Sequence, residues 1–413
     1  MRTNYQILIV LVLFIPFGKG IFAQESIILP TPYIEEALKN NPKVAAMELK
    51  YEMANEKVTG VRTVPNTEFS FGYFVSEPET RTGAQKMKFS VKQMLPWFGN
   101  IGSREDYTKS LAAADYMDYL IAKRQLIKEV AELYFMLYTL QQKSVATEEQ
   151  LELLSSFKEM ALTSVSAGKA SAVDVLKLQI RTNDLEQKKA VLANNFLSAK
   201  RKFDNLINRD DALELRLPDT LTIDGSDALV NPETLEFHPE LLKYDRIYES
   251  TEEALALNKK ESSPGFGLGL DYIPVAERTD MNVAENGKDI IMPMVSLSIP
   301  IFNAKYRSEN RRLNLEKEAL MKQKEERYNQ LNTILEAAIL DRKSAESGVN
   351  TLLKNLQESE STLNILIKQY ETETVDFSDL LEILDLQLKL QYDLNDLVQE
   401  YFKQSLIINY LSK

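Results

Sequence analysis

Two helical stretches, residues 102–166 and 306–370, run without a proline. At 1.5 Å per residue each would span about 100 Å. That length exceeds any globular core and specifies a rod or the wall of a tube. Both stretches carry an apolar seam at steps of three and four. In the second it runs through Tyr328, Leu331, Leu335, Ala338, Ala345, Val349, Leu352, Leu356, Leu363, Leu366 and Tyr370, with Arg342 and Ser359 as polar interruptions. In the first it runs through Tyr119, Leu126, Val130, Leu133, Leu137 and Leu140. One seam per helix is the coiled-coil pattern. Return helices over 171–208 and 376–411 should pack back as hairpins, with Leu390, Leu394, Leu397, Tyr401, Ile408 and Leu411 continuing the seam.

These stretches belong to one unit written twice. A helix opening at Asn41-Pro42-Lys43 and ending near Val64 is broken by Pro65; its counterpart opens at His238-Pro239-Glu240 and is ended by Pro264. Two alternating segments follow each helix. Then come Met94-Leu95-Pro96-Trp97-Phe98-Gly99 and Ser298-Ile299-Pro300-Ile301-Phe302-Asn303, each leading into a long stretch. Pro42 and Pro239, Pro65 and Pro264, Pro96 and Pro300, and Asp174 and Asp379 pair at a nearly constant offset, the sign of an internal repeat.

The alternating segments read as strands. Phe69, Phe71, Tyr73 and Val75 alternate with Glu68, Ser70, Gly72 and Phe74; Met87, Phe89 and Val91 alternate with Lys86, Lys88, Ser90 and Lys92. Phe266, Leu268, Leu270 and Tyr272 alternate with glycines and Asp271; Val295, Leu297 and Ile299 alternate with Met294, Ser296 and Ser298. Each has about the 9–11 residues of a tilted membrane strand. Tyr73, Trp97, Tyr272 and Phe302 suit an interfacial girdle. Residues 76–85 and 274–289 would be hairpin loops. Amphipathic hairpins on a soluble coiled coil are the competing reading. Four strands cannot close a barrel, since membrane barrels begin at about eight. Two copies would give eight strands and a filled interior; three would give twelve and the beginning of a lumen, so transport favours three. The fold class is therefore mainly α with membrane β: duplicated coiled-coil hairpins plus four transmembrane strands per chain.

The N-terminus is a targeting segment. Arg2 precedes the apolar run from Ile7 to Phe17, and cleavage is expected after Ala23. The run is well short of the roughly 20 residues of a spanning helix. The chain has no cysteine, so neither disulfides nor a cysteine-linked lipid are available. A net charge of −12 without a basic stripe excludes nucleic-acid binding. Enzyme chemistry finds no constellation. The lone histidine, His238, at a helix start, belongs with capping or surface residues. Gly265-Phe266-Gly267-Leu268-Gly269 lacks the Lys-Ser/Thr and the helix of a phosphate cradle. Met87, Met94, Met281, Met292 and Met294 read as apolar filler ahead of soft-metal contacts. No cofactor is expected.

The duplicated order of helix, strand, strand, long helix and return helix resembles the TolC-like outer-membrane efflux family over nearly the whole mature chain. So do the turn from Gly168 to Val173-Asp174-Val175-Leu176 and its degenerate counterpart Val375-Asp376-Phe377-Ser378-Asp379-Leu380-Leu381. The motif Gln93-Met94-Leu95-Pro96-Trp97-Phe98-Gly99 looks like the heavy-metal branch, although the lipidated cysteine of several such relatives is missing. The resemblance implies a homotrimer with one shared 12-stranded β-barrel and a periplasmic α-helical barrel. It also implies docking on a periplasmic adaptor (membrane fusion) protein and an inner-membrane pump. An acidic pair narrowing the periplasmic entrance would fall on Asp379 and Glu382, which share one helix face at a spacing of three. Three copies would make stacked acidic rings that attract cations. A solvated helix face is the alternative, because acidic residues also suit a helix start. The first copy has Asp174 and Lys177 there instead. Adaptor contacts are expected at the hairpin tips, at Ala167, Gly168, Lys169, Ser171, Asp174, Glu371, Glu373 and Asp376.

The expected organisation is a signal peptide at 1–23, a first repeat with its linker at 24–230 and a second repeat of the same order at 231–413. The expected function is a passive duct in the bacterial outer membrane, the channel component of a tripartite pump, exporting small solutes such as drugs or metal ions. A soluble periplasmic coiled-coil scaffold or adaptor is the alternative.

Overall fold

The computed structural model describes residues 30–166, 171–209, 215–223, 232–372 and 374–412. The signal segment therefore lies outside the described residues. The chain opens with α1 (Thr31–Asn40) and α2 (Pro42–Gly60). Next come β1 (Glu68–Tyr73), the short β2 (Glu79–Thr80) and β3 (Gly83–Ala84), and β4 (Met87–Leu95). The hairpin of α3 (Asn100–Ser166) and α4 (Ala172–Ile207) follows. After a 3-10 turn (Pro232–Phe237), α5 (Pro239–Glu261), β5 (Gly265–Ile273), β6 (Ile290–Ser298), α6 (Ala304–Glu371) and α7 (Phe377–Ser412) repeat the order of the first half.

The two long helices are continuous, as their seams require. α3 packs along α2 and α5 on its first half and along α4 and α7 further on, while α6 packs on α5 and then α7. Three apolar clusters hold this wall together. The central one buries Val130, Phe135 and Leu137 of α3 against Phe203 and Ile207 of α4 and Phe402 and Leu406 of α7. A second, towards the hairpin tips, joins Leu154 and Phe157 to Leu178, Leu185, Phe377, Leu380 and Leu384. A third seats Leu235 and Leu241 on Leu331, Leu335, Ile408 and Leu411. Gly348 marks a close approach of α6 to α7: a Cβ there would press on the Leu397 side chain.

Phe135 is the centre of this arrangement. It is fully buried and stacks on Phe402 with centroids 4.6 Å apart. Truncating it to Ala removes that stack and leaves a cavity worth about 3–5 kcal/mol. Thermal unfolding of Phe135→Ala, followed by loss of helical signal, should begin well below the wild-type transition.

Three boundaries differ from expectation. α1 was not anticipated; it is marked by Pro30 at its start and by Ile34 and Ala37 one turn apart, both buried in the central cluster. α2 stops at Gly60 and not near Val64, because the Thr63 hydroxyl donates to the Gly60 carbonyl and closes the turn. β1 begins at Glu68 as expected but ends at Tyr73, short of Val75: Phe74 N–H still donates to Lys86 O, after which the chain leaves the ladder for the loop at 76–85.

Candidate functional site

β1, β4, β5 and β6 form one antiparallel sheet in the order β1-β4-β5-β6. Its register aligns like residues in rows. Phe71, Phe89, Tyr272 and Ile291 make one row, and Phe69, Val91, Leu270 and Pro293 the next. Every second residue points to the same face. That face is apolar and open: Phe69 and Val295, on the outermost strands, are each 78% exposed. The other face carries Ser70, Ser90, Asp271, Lys88, Lys92 and the glycines of β5. Asp271 is fully buried there and ion-paired with Lys88. Met94 and Met294 lie over Gly267 and Gly269 on this polar face, filling the furrow left by the missing side chains. Strands β5 and β6 have 9 residues each. At about 3.3 Å per residue and a tilt near 40°, the sheet stands roughly 23 Å tall, close to the apolar band of a membrane barrel.

Beyond the sheet the two loops interlock. Ala276 N–H donates to Ala84 O and Gly287 N–H to Thr82 O, both at 2.8 Å, and Arg278 Nη1 donates to Thr80 O at 3.1 Å. Gly83, at φ 136°, has no room for a side chain, because a Cβ would overlap the Ala276 carbonyl. The expected loop at 76–85 thus contains its own short hairpin, β2-β3.

The opposite end is the pair of hairpin tips. Ala167, Gly168, Lys169 and Glu373 lie outside the described residues. Glu371 is the last residue of α6. Ser171 caps α4, its hydroxyl accepting from Val173 N–H at 3.1 Å, and Asp174 sits half-buried in the first turn. Asp376 is exposed, and its carbonyl accepts from Asp379 N–H at 3.1 Å. Asp379 and Glu382 are both exposed, while Phe377, Leu380 and Leu384 of the same helix are buried. The acidic pair therefore stands on an open face of α7. Burial raises the Tyr370 phenol, with the Asp174 carboxylate adding to the effect.

Two contacts that the sequence reading missed tie the hairpins together. Lys177 Nζ donates to Ser378 Oγ at 2.7 Å, and Arg181 pairs with Asp385. Lys177 and Arg181 are one turn apart on α4. The available signal was Lys177 itself, a cation where the second repeat carries Glu382.

His238 is neither exposed nor a candidate base. It is 1% exposed and caps α5, its Nδ1 accepting from Glu240 N–H at 3.3 Å. The expectation of a capping residue holds and that of a surface residue does not, because Tyr410 closes over the ring at 4.9 Å. Burial lowers its pKa to about 4, so the imidazole is neutral. Among the described residues no group of three or more His, Cys, Asp or Glu could hold a metal ion, and no helix is long and apolar enough to cross a membrane.

The architecture is a two-faced sheet joined to long helical hairpins. Residues 33–209 match the family described as outer membrane efflux protein. No curated protein matches the chain. Solved structures share its fold over nearly its whole length. The channel protein CusC superposes with a TM-score of 0.76 at 14% identity, covering 92% of this chain and 91% of that one. The outer membrane protein VceC from Vibrio cholerae gives 0.74 at 14% identity, covering 92% and 95%. The MtrE outer membrane channel of Neisseria gonorrhoeae, in its open state, gives 0.72 at 16% identity, covering 92% and 88%. The chain is thus similar to the outer membrane efflux protein family over residues 33–209, and over nearly its whole length it shares the fold of these solved channels.

Proposed function

We propose that three copies of this chain form a passive duct that carries small solutes from the periplasm, or from a pump, across the outer membrane. The observation that carries this reading is the sheet. It exposes one predominantly apolar face, interrupted by Gln93, and its outer edges, β1 and β6, are unpaired among the described residues. An open sheet edge is not tolerated in lipid. Because the strands alternate in direction from β1 to β6, β6 of one copy meets β1 of the next antiparallel, and three sheets close as an up-and-down barrel of twelve. The helical wall has matching edges. α4 exposes Val173, Leu176, Ile180 and Val191, and α6 exposes Leu340, Leu353 and Ile365. Copies joined through these flanks would enclose a tube continuous with the barrel. The two repeats, 24–230 and 231–413, each supply one strand pair and one hairpin to it.

Asp379 and Glu382 are the proposed constriction, and the hairpin tips, with Ser171, Asp174, Glu371 and Asp376, the proposed seat for a periplasmic adaptor linked to an inner-membrane pump. The cargo classes that fit an acidic ring are cationic drugs and metal ions. In planar bilayers, Asp379→Asn with Glu382→Gln should reduce block by multivalent cations at least tenfold, since six carboxylates are neutralised in a trimer. Unchanged block would remove the pair from the path. A soluble scaffold predicts instead that the protein stays out of the outer-membrane fraction.

A further inference from the structure

The strand-to-helix elbows form a surface that neither the barrel nor the tube uses. After β4 the chain turns through Pro96-Trp97-Phe98-Gly99 into α3, with Asn100 N–H donating to Trp97 O at 3.0 Å and Gly99 at φ 80°. Trp97 folds back to stack on Phe266 at 5.2 Å, whereas Phe98 stands out at 80% exposure. After β6 the alternation that places Val295 and Leu297 on the apolar face continues through Ile299 and Ile301, beyond the last hydrogen-bonded residue. Phe302 beside them is 89% exposed. The apolar band thus extends past the sheet on the side of the helical wall.

Cations stand directly behind these elbows. Lys260, at the end of α5, places its Nζ 3.4 Å from where a Gly99 Cβ would be. α5 is fixed to the second elbow by Asn258 Nδ2 donating to Tyr306 O at 2.9 Å. Lys305 and Arg307 lie in the first turn of α6, with Lys305 over the Tyr306 ring. Among the described residues Lys259, Lys260, Lys305 and Arg307 form no salt bridge, although the neighbouring Arg62 and Arg104 are bound by Glu105 and Glu261. Unpaired cations gathered beside exposed aromatics are out of character for a chain of net charge −12. Aromatic tips at the edge of the hydrocarbon and cations at phosphate height are how a protein holds an anionic lipid.

We propose that the two elbows are a binding surface for anionic phospholipid of the leaflet facing the helical wall. Phe98, Ile301 and Phe302 enter the acyl boundary, and Lys260, Lys305 and Arg307 take the headgroup phosphates. This rests on the membrane-duct reading above.

The test is native mass spectrometry of the full-length protein, extracted in detergent and mixed with equal amounts of phosphatidylglycerol and phosphatidylcholine. The wild type should retain phosphatidylglycerol in preference. The variant Lys260→Gln/Lys305→Gln/Arg307→Gln should retain at least threefold less of it, while Lys188→Gln/Lys354→Gln, which removes exposed charges far along the helices, should match the wild type. The single variants Lys260→Gln and Arg307→Gln, each expected to lower retention, serve if the triple variant is not recovered. Equal retention of both lipids by the wild type, or undiminished retention in the charge variants, overturns the proposal. The protein mass in the same spectra reports separately on the trimer, so failure of the duct reading is distinguishable from failure of the lipid surface.

Discussion

Leu270→Arg should remove the protein from the outer-membrane fraction. Leu270 lies near the middle of β5, in the row with Phe69, Val91 and Pro293, and it is 47% exposed on the apolar face. If that face meets lipid, an arginine there sits near the bilayer midplane at a cost of about 2–4 kcal/mol per chain. Every copy in the barrel bears the same cost. A change on the polar face, such as Ser90→Thr, introduces no charge to lipid and should leave fractionation unaltered. Ser90 stands opposite the buried Asp271 and its hydroxyl interacts with that carboxylate beside Lys88; threonine keeps the hydroxyl, so this control leaves the carboxylate partnered. Heat-modifiable migration on a gel reads the outcome. Normal assembly of Leu270→Arg would show that the apolar face is covered by something other than lipid.

Loss of the ties between the hairpins should open the duct. Arg181 with Asp385 and Lys177 with Ser378 are the polar contacts joining α4 to α7 near the tips. The ion pair is partly exposed, so each is worth at most about 1 kcal/mol. Their weight comes from symmetry: at about 0.5 kcal/mol for each contact, two contacts released in each of three copies amount to about 3 kcal/mol, roughly a hundredfold in a closed-to-open equilibrium. Arg181→Ala with Lys177→Ala should therefore raise single-channel conductance or open time by one to two orders of magnitude. The buried Phe377, Leu380 and Leu384 are untouched, so the hairpin itself should stay folded. Unchanged conductance would make these contacts mere braces within a wall that does not move.

The long helices were legible because their signal is cumulative: a seam kept through many turns, as from Tyr328 to Tyr370, has no strand or loop reading. The four strands were legible from period-two alternation, and their two faces follow from it directly. Where the outcome was set by contacts distant in sequence, the pattern was silent. α1 is short, and its two buried residues gain meaning only from the α3 and α4 side chains they meet. The locking of residues 76–85 onto 274–289 depends on backbone hydrogen bonds, which leave no trace in residue type except at Gly83 and Gly287. The Arg181–Asp385 pair joins residues from different repeats, so no local spacing announces it. His238 was readable as a cap from Pro239 and Glu240, whereas its burial is imposed by Tyr410, far along the chain.

The most direct test of the central claim is the mass of the mature protein extracted from outer membranes, measured by light scattering with the detergent contribution removed. A mass of three chains is the predicted result, because three four-stranded sheets are the fewest that close a barrel around an open lumen. A monomer or dimer released into the soluble fraction would contradict it, and would mean that the apolar face of the sheet never meets lipid.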